Sequence, residues 1–124
     1  MDITPLIPAG RQILQGYGDG GFRLNGVRHE GSVLVFPAQT IAWLPVTVEA
    51  ITAESLAAVA TAEPRVEILL IGTGGRMQLI PNAVRQHFRS LGIAVDAMDT
   101  GAACRTYNVL LAEDRRVAAA LIAV

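Results

Sequence analysis

Hydrophobic and polar positions follow one period in the first third of this chain and another in the rest. Early on, the apolar residues come in short runs punctuated by glycine. "GYGDGGFRLNGVRHEGSVLVFP" places Asn25-Gly26 between the apolar-edged runs 22–24 and 27–29. Both turn residues tolerate positive φ, so the pair predicts a two-residue hairpin. Residues 32–36 are rich in β-formers and stop at Pro37, and residues 40–44 put Ile41 and Trp43 on one face before Pro45. The first 45 residues are therefore expected to form a β-meander. Residues 1–10, with two prolines and a glycine, are expected to lie extended over the surface.

Beyond Pro45 the spacing becomes helical, then alternates. Thr52, with Ser55 three positions on, opens a helix in which Leu56, Val59 and Ala60 share a face and which Pro64 stops. "VEILLIGTGG" is a nearly unbroken apolar run ending in glycines, the pattern of a strand covered on both faces. Residues 81–91 suit a helix with proline in its first turn, Val84, Phe88 and Leu91 on one side, and Gly92 as its cap. A short strand over 93–98, a helix over 100–112 and a strand over 117–124 complete the chain. Alternating strands and helices imply an α/β sheet with crossovers. There is no internal repeat or linker, so residues 1–124 are expected to form one domain.

With 52% hydrophobic and 17% charged residues, the chain can bury a core and is globular rather than disordered. A formal charge of −1 leaves no basic footprint for nucleic acid. All ten cationic side chains are arginine. A single cysteine forbids an internal disulfide and fits a reducing compartment. The N-terminus has no basic stretch followed by an apolar run, and no run approaches the roughly 20 apolar residues of a membrane span. The expectation is a cytoplasmic protein.

Two motifs invite a chemical reading. Asp99-Thr100-Gly101 matches the aspartic-protease triplet, but that mechanism needs paired carboxylates sharing a proton. Those enzymes are all-β and carry the triplet early, whereas here a helix and one strand follow it. Asp99 and Thr100 are also good N-caps, able to accept from free N–H groups of the first turn. Ala103, Cys104, Tyr107, Leu110 and Leu111 then form an apolar stripe. The helix dipole would lower the Cys104 pKa and burial would raise it. A packed thiol, a redox-sensitive thiol and a nucleophile all remain open.

The second motif, "GTGG" over residues 72–75, follows a buried strand where α/β folds commonly hold anions. It completes neither phosphate signature: Met77 stands where G-x-G-x-x-G needs its last glycine, and no Gly-Lys-Ser/Thr follows. Its readings are a turn allowing close backbone approach, or an anion pocket with Arg76 near the mouth. His29 and His87 have no partners at ligand spacing, so no metal is expected. Glu113-Asp114-Arg115-Arg116 suggests a solvated turn, and Trp43 a packing residue.

In order, "GYGDGGF", "GSVLVFP", a tryptophan six positions past that proline, "LLIGTGG", "MDTGAACRTYNVL" and "EDRRVAAALI" run through the chain. This series resembles the Mth-type domain family, which includes mitochondrial complex I assembly factor 3 and the adipogenesis-associated Mth-type domain protein. The resemblance implies a three-layer α/β domain: a central mixed sheet of about five strands, one antiparallel, with the meander beside it and helices crossing over. The family offers no catalytic residues to carry over, and the chain is expected not to be an enzyme and to need no cofactor. The resemblance also makes Gly72, Thr73, Gly74, Asp99, Thr100, Thr106 and Asn108 candidates for one shared surface. Without a mitochondrial presequence, the chain reads as a bacterial-type member.

Two functions follow as expectations. The first is a non-catalytic binding protein that aids assembly of a respiratory or other membrane-associated complex. Its partner would be a protein (respiratory-complex subunits by resemblance), and self-association stays open. The alternative is a small-molecule or anion-binding domain, with an uncharacterised activity left open, whose site lies between the two motifs. There Gly72, Thr73, Gly74, Gly75 and the N–H groups after Thr100 would hold an anion. Arg76 or Arg105 would supply charge, Asp99 or Cys104 any chemistry, and Thr106 and Asn108 would complete the surface.

Overall fold

Strands β1 (Leu14–Gly18), β2 (Gly21–Leu24) and β3 (Val27–Glu30) form an antiparallel meander in the computed structural model, which describes residues 10–124. The extended segment expected over residues 1–10 thus lies, but for Gly10, outside the described residues. The hairpin turns where the sequence places it: Leu24 pairs with Val27, and Asn25 and Gly26 adopt φ of 48° and 80°. Two positive φ values in a row make a type I′ turn, whose twist matches that of the flanking strands.

The meander stops at β3 and does not run on to residue 45. β4 (Val33–Val35) and β5 (Thr40–Ala42) instead join a five-stranded sheet with β6 (Ile68–Gly72), β7 (Ala94–Met98) and β8 (Val117–Leu121), in the order β5-β4-β8-β6-β7. The reason is burial. β3 is largely exposed, whereas all three residues of β4 are apolar and buried, so β4 needs cover on both faces. β6 pairs in parallel with both β7 and β8, while β4 is antiparallel to β8 and to β5. β4 alone therefore opposes the other four strands.

Helices α1 (Ala57–Ala60) and α2 (Asn82–Ser90) cover one face, where Leu34, Trp43, Leu69, Ile71, Val84 and Phe88 form a core. Helix α3 (Thr100–Ala112) lies on the other face, its Cys104, Tyr107 and Leu111 packed with Leu70, Phe22 and Leu24. The helix expected from Thr52 is shorter than its pattern suggests, a 3-10 turn over Glu54–Leu56 followed by α1. Thr52 and Ser55 do exchange reciprocal bonds of 3.0 Å each. But Trp43 Nε1 donates to the Ser55 carbonyl at 2.8 Å, taking an acceptor a longer helix would use.

α2 ends as its sequence requires. Gly92, at φ 75°, donates to the Arg89 carbonyl, and Ile93 donates to that of Phe88, both at 3.0 Å. This is a Schellman closure, and Ile93 and Phe88 share the same core.

Candidate functional site

The carboxyl ends of β6, β7 and the strand between β6 and β4 bring both motifs together. Gly72 closes β6 against the start of α3: a Cβ there would sit 3.0 Å from Thr100 Cα and 3.0 Å from Leu121 Cδ2. Next, Thr73 donates its N–H to the Met98 carbonyl at 2.8 Å. Its hydroxyl lies 2.7 Å from the Arg76 carbonyl and accepts from Gln78 N–H at 3.1 Å, so the loop folds back on itself. Gly74 turns at φ 104°, in the region that favours glycine.

Thr100 joins the three segments. Its N–H donates to the Gly74 carbonyl at 2.8 Å, and its Oγ1 accepts from Gly74 N–H at 2.9 Å while donating to the Ile122 carbonyl at 2.7 Å. Ile122 N–H in turn donates to the Gly72 carbonyl at 3.0 Å. Thr100 is wholly buried, where an unpartnered hydroxyl would be costly. That corrects the expectation that Thr100 caps its helix through its side chain. Asp99 does so instead, accepting from Ala102 N–H at 2.9 Å.

The remaining candidates on α3 face different surroundings. Cys104 is buried beside the meander, and burial pushes its thiol up to about 12, with the Arg105 guanidinium acting weakly the other way. Such a thiol is protonated at neutral pH. Asn108 acts as a two-pronged clamp, its Oδ1 accepting from Leu14 N–H at 3.0 Å and its Nδ2 donating to the Leu14 carbonyl at 2.7 Å. It thereby bonds β1 to α3 as a neighbouring strand would. Thr106 is half-buried, and Gly75, Arg76 and Arg105 are exposed. Neither arginine forms an ion pair among the described residues.

Tyr17 is a contributor that sequence reasoning missed. Its hydroxyl occupies the place a Cβ on Gly101 would take, so the missing side chain at Gly101 seats β1 on the first turn of α3. The available signal was the glycine directly after Thr100, which a helix interior disfavours unless something packs there.

A cleft of about 730 Å³ opens at the opposite end of the sheet, lined by Arg11, Phe36, Gln39, Ala62, Glu67 and Arg115 among others. The cluster over residues 113–116 is the exposed turn the sequence suggests, and its residues 114–116 also line the rim of this cleft. Arg115 pairs with Glu67 at 3.0 Å, Arg116 with Glu67 at 3.8 Å, and Arg11 with Asp114 at 3.7 Å. The Arg115 hydrogen bond, helped by Arg116 N–H, holds the Glu67 carboxyl below its ordinary range. A smaller trough, about 260 Å³, runs beside β7 between Arg85 and Arg89.

Residues 14–122 match the family described as protein of unknown function (DUF498/DUF598). Over 109 residues the chain is 38% identical to human NADH dehydrogenase (ubiquinone) 1 alpha subcomplex assembly factor 3, covering 88% of this chain and 59% of that protein. The chain thus spans about three-fifths of the curated relatives of this kind that it matches. Among solved structures it is similar to a Bartonella henselae chain described as an outer membrane protein, at TM-score 0.86 and 41% identity over 93% of this chain and 97% of that one. It is also similar to a Bordetella pertussis protein described as a Mth938-like domain, at TM-score 0.79 and 31% identity, over 98% of this chain and 91% of that one. No helix among the described residues is long and apolar enough to cross a membrane.

Proposed function

Because the chain belongs to the DUF498/DUF598 family, we propose that it is a non-catalytic binding protein that helps a respiratory complex, or another membrane-associated complex, to assemble. It would act in the cytoplasm on a protein partner; its human relative is named as an assembly factor of NADH dehydrogenase. The observation that carries this reading is how the motif residues are engaged. Thr73, Gly74 and Thr100 bond one another and Ile122, Asn108 holds β1, and Cys104 is buried and protonated. Residues that could have served chemistry instead join the strand ends, the meander and α3.

Affinity capture of the tagged chain from its native host, after mild cross-linking, tests the proposal. Enrichment of NADH dehydrogenase subunits or other membrane-complex components is the expected result. A chain recovered with no partner above background would overturn it.

One observation favours the alternative, an anion site between the motifs: Arg76 and Arg105 are exposed and without ion pairs among the described residues. That reading expects phosphates, nucleotides or carboxylates to raise Tm, and Arg76→Ala plus Arg105→Ala to abolish the rise. A panel of these compounds that leaves Tm unchanged would sink it.

A further inference from the structure

Among the described residues β7 pairs only with β6, which leaves one side of the five-stranded sheet open. Ala94 N–H donates to the Glu67 carbonyl and the Met98 carbonyl accepts from Thr73 N–H, so residues 94, 96 and 98 direct their backbone groups inward to β6. By alternation, Val95 and Ala97 direct theirs to the open side. Arg85 confirms this by reaching across from α2 to the Val95 carbonyl, at 3.3 Å. The N–H groups of Val95 and Ala97 and the Ala97 carbonyl have no partner among the described residues. Exposed edges of this kind are templates for another strand.

Charge decides which strand fits. Val95 and Ala97 pack toward the α2 side, where Arg85 and Arg89 flank the trough and neither meets a carboxylate among the described residues. Arg65 donates to the Leu91 carbonyl at the end of α2. Asp96 points to the other face and is exposed. A second copy pairing edge to edge about a two-fold axis would set Arg85 and Arg89 against their equivalents and Asp96 against its own. Both faces would then carry like-charge repulsion.

We propose that the β7 edge binds an extended acidic segment of a partner protein as a sixth strand. Its carboxylates on one face meet Arg85 and Arg89, and uncharged or basic side chains lie on the Asp96 face. Main-chain bonds to Val95 and Ala97 supply affinity, and the arginines supply selection, the division of labour in β-strand addition. This names the recognition element of the protein-binding reading above and rests on it.

The test titrates the isotope-labelled chain with a short, end-blocked synthetic peptide in which Glu alternates with Thr, followed by NMR. The amide signals of Val95 and Ala97 should shift, and their hydrogen exchange should slow by at least about tenfold. Arg85→Ala with Arg89→Ala should weaken binding by about tenfold or more, and Ala97→Pro, which deletes an outward N–H, should abolish it. The same peptide with Lys for Glu should not bind. Unshifted Val95 and Ala97 signals at millimolar peptide would overturn the proposal, as would equal binding of the Lys peptide. Concentration-dependent shifts without peptide would also do so, because they would assign the edge to a second copy. Native-host capture with Arg85→Glu plus Arg89→Glu separates the two claims. Undiminished partner recovery removes the edge and leaves the assembly role, whereas a partnerless wild type alongside a bound peptide removes the assembly role and leaves the edge.

Discussion

The carboxyl end of the parallel strands and the open side of β7 carry the same kinds of backbone groups and put them to opposite uses. At the carboxyl end, Gly72, Gly74, Thr100 and Ile122 satisfy one another within hydrogen-bonding distance, around a hydroxyl with no exposure. Along β7, outward groups at Val95 and Ala97 lie beside Arg85 and Arg89, neither of which meets a carboxylate among the described residues. The first arrangement has its donors and acceptors bonded within the fold. The second is the edge proposed above to take a partner strand. A motif's resemblance to an active site therefore says less than whether its donors are already taken.

This contrast breaks if substitutions at the motif end leave stability unchanged. Asn108→Ala should have a large effect, about 2–4 kcal/mol in denaturant unfolding, because it leaves both Leu14 backbone groups without partners. Hydrogen exchange should rise first in β1. Gly72→Ala should cost about 1–3 kcal/mol, since its methyl would press on Thr100 Cα, which is backbone and cannot swing aside.

The thiol supplies a pH test. Its folded pKa, about 12, lies above the unfolded value, so its contribution is fully present at neutral pH and is lost as pH rises. Between about pH 9 and 12 stability should fall by roughly 1.4 kcal/mol per pH unit on this account alone. Cys104→Ala should remove that share of the slope in alkaline melts, and native Cys104 should resist alkylation at pH 8. Arg85→Ala plus Arg89→Ala should do least to the fold, less than about 0.5 kcal/mol in the same unfolding assay. A large loss there would show the arginines to be structural and erase the distinction.

Much of the fold was legible because its signals are local. Asn25-Gly26 fixes its hairpin, Gly92 its helix end, and the uniformly apolar residues 68–71 a strand covered on both faces. The allocation of β4 to the central sheet was not legible, because "VLV" states only that both faces are buried, not by what. The shortness of α1 depends on Trp43, twelve positions from the carbonyl it takes. At the candidate site the sequence named Gly72, Gly74 and Thr100, which the fold brings together, while Asp99 caps its own helix. It left out Tyr17 and could not tell a hydroxyl that caps its own helix from one bonded to Gly74 and Ile122. The β7 edge escaped notice altogether, since Arg85 and Arg89 become neighbours of Val95 only once α2 lies on the sheet.

The most direct test of the account is the thermal unfolding of Thr100→Val, a nearly isosteric change that deletes the hydroxyl joining Gly74 to Ile122. The predicted loss is about 2–4 kcal/mol, a fall in Tm of about 10 °C or more, with the fold retained at room temperature. An unchanged Tm would contradict the account, for it would mean that the hydroxyl does not hold the strand ends together.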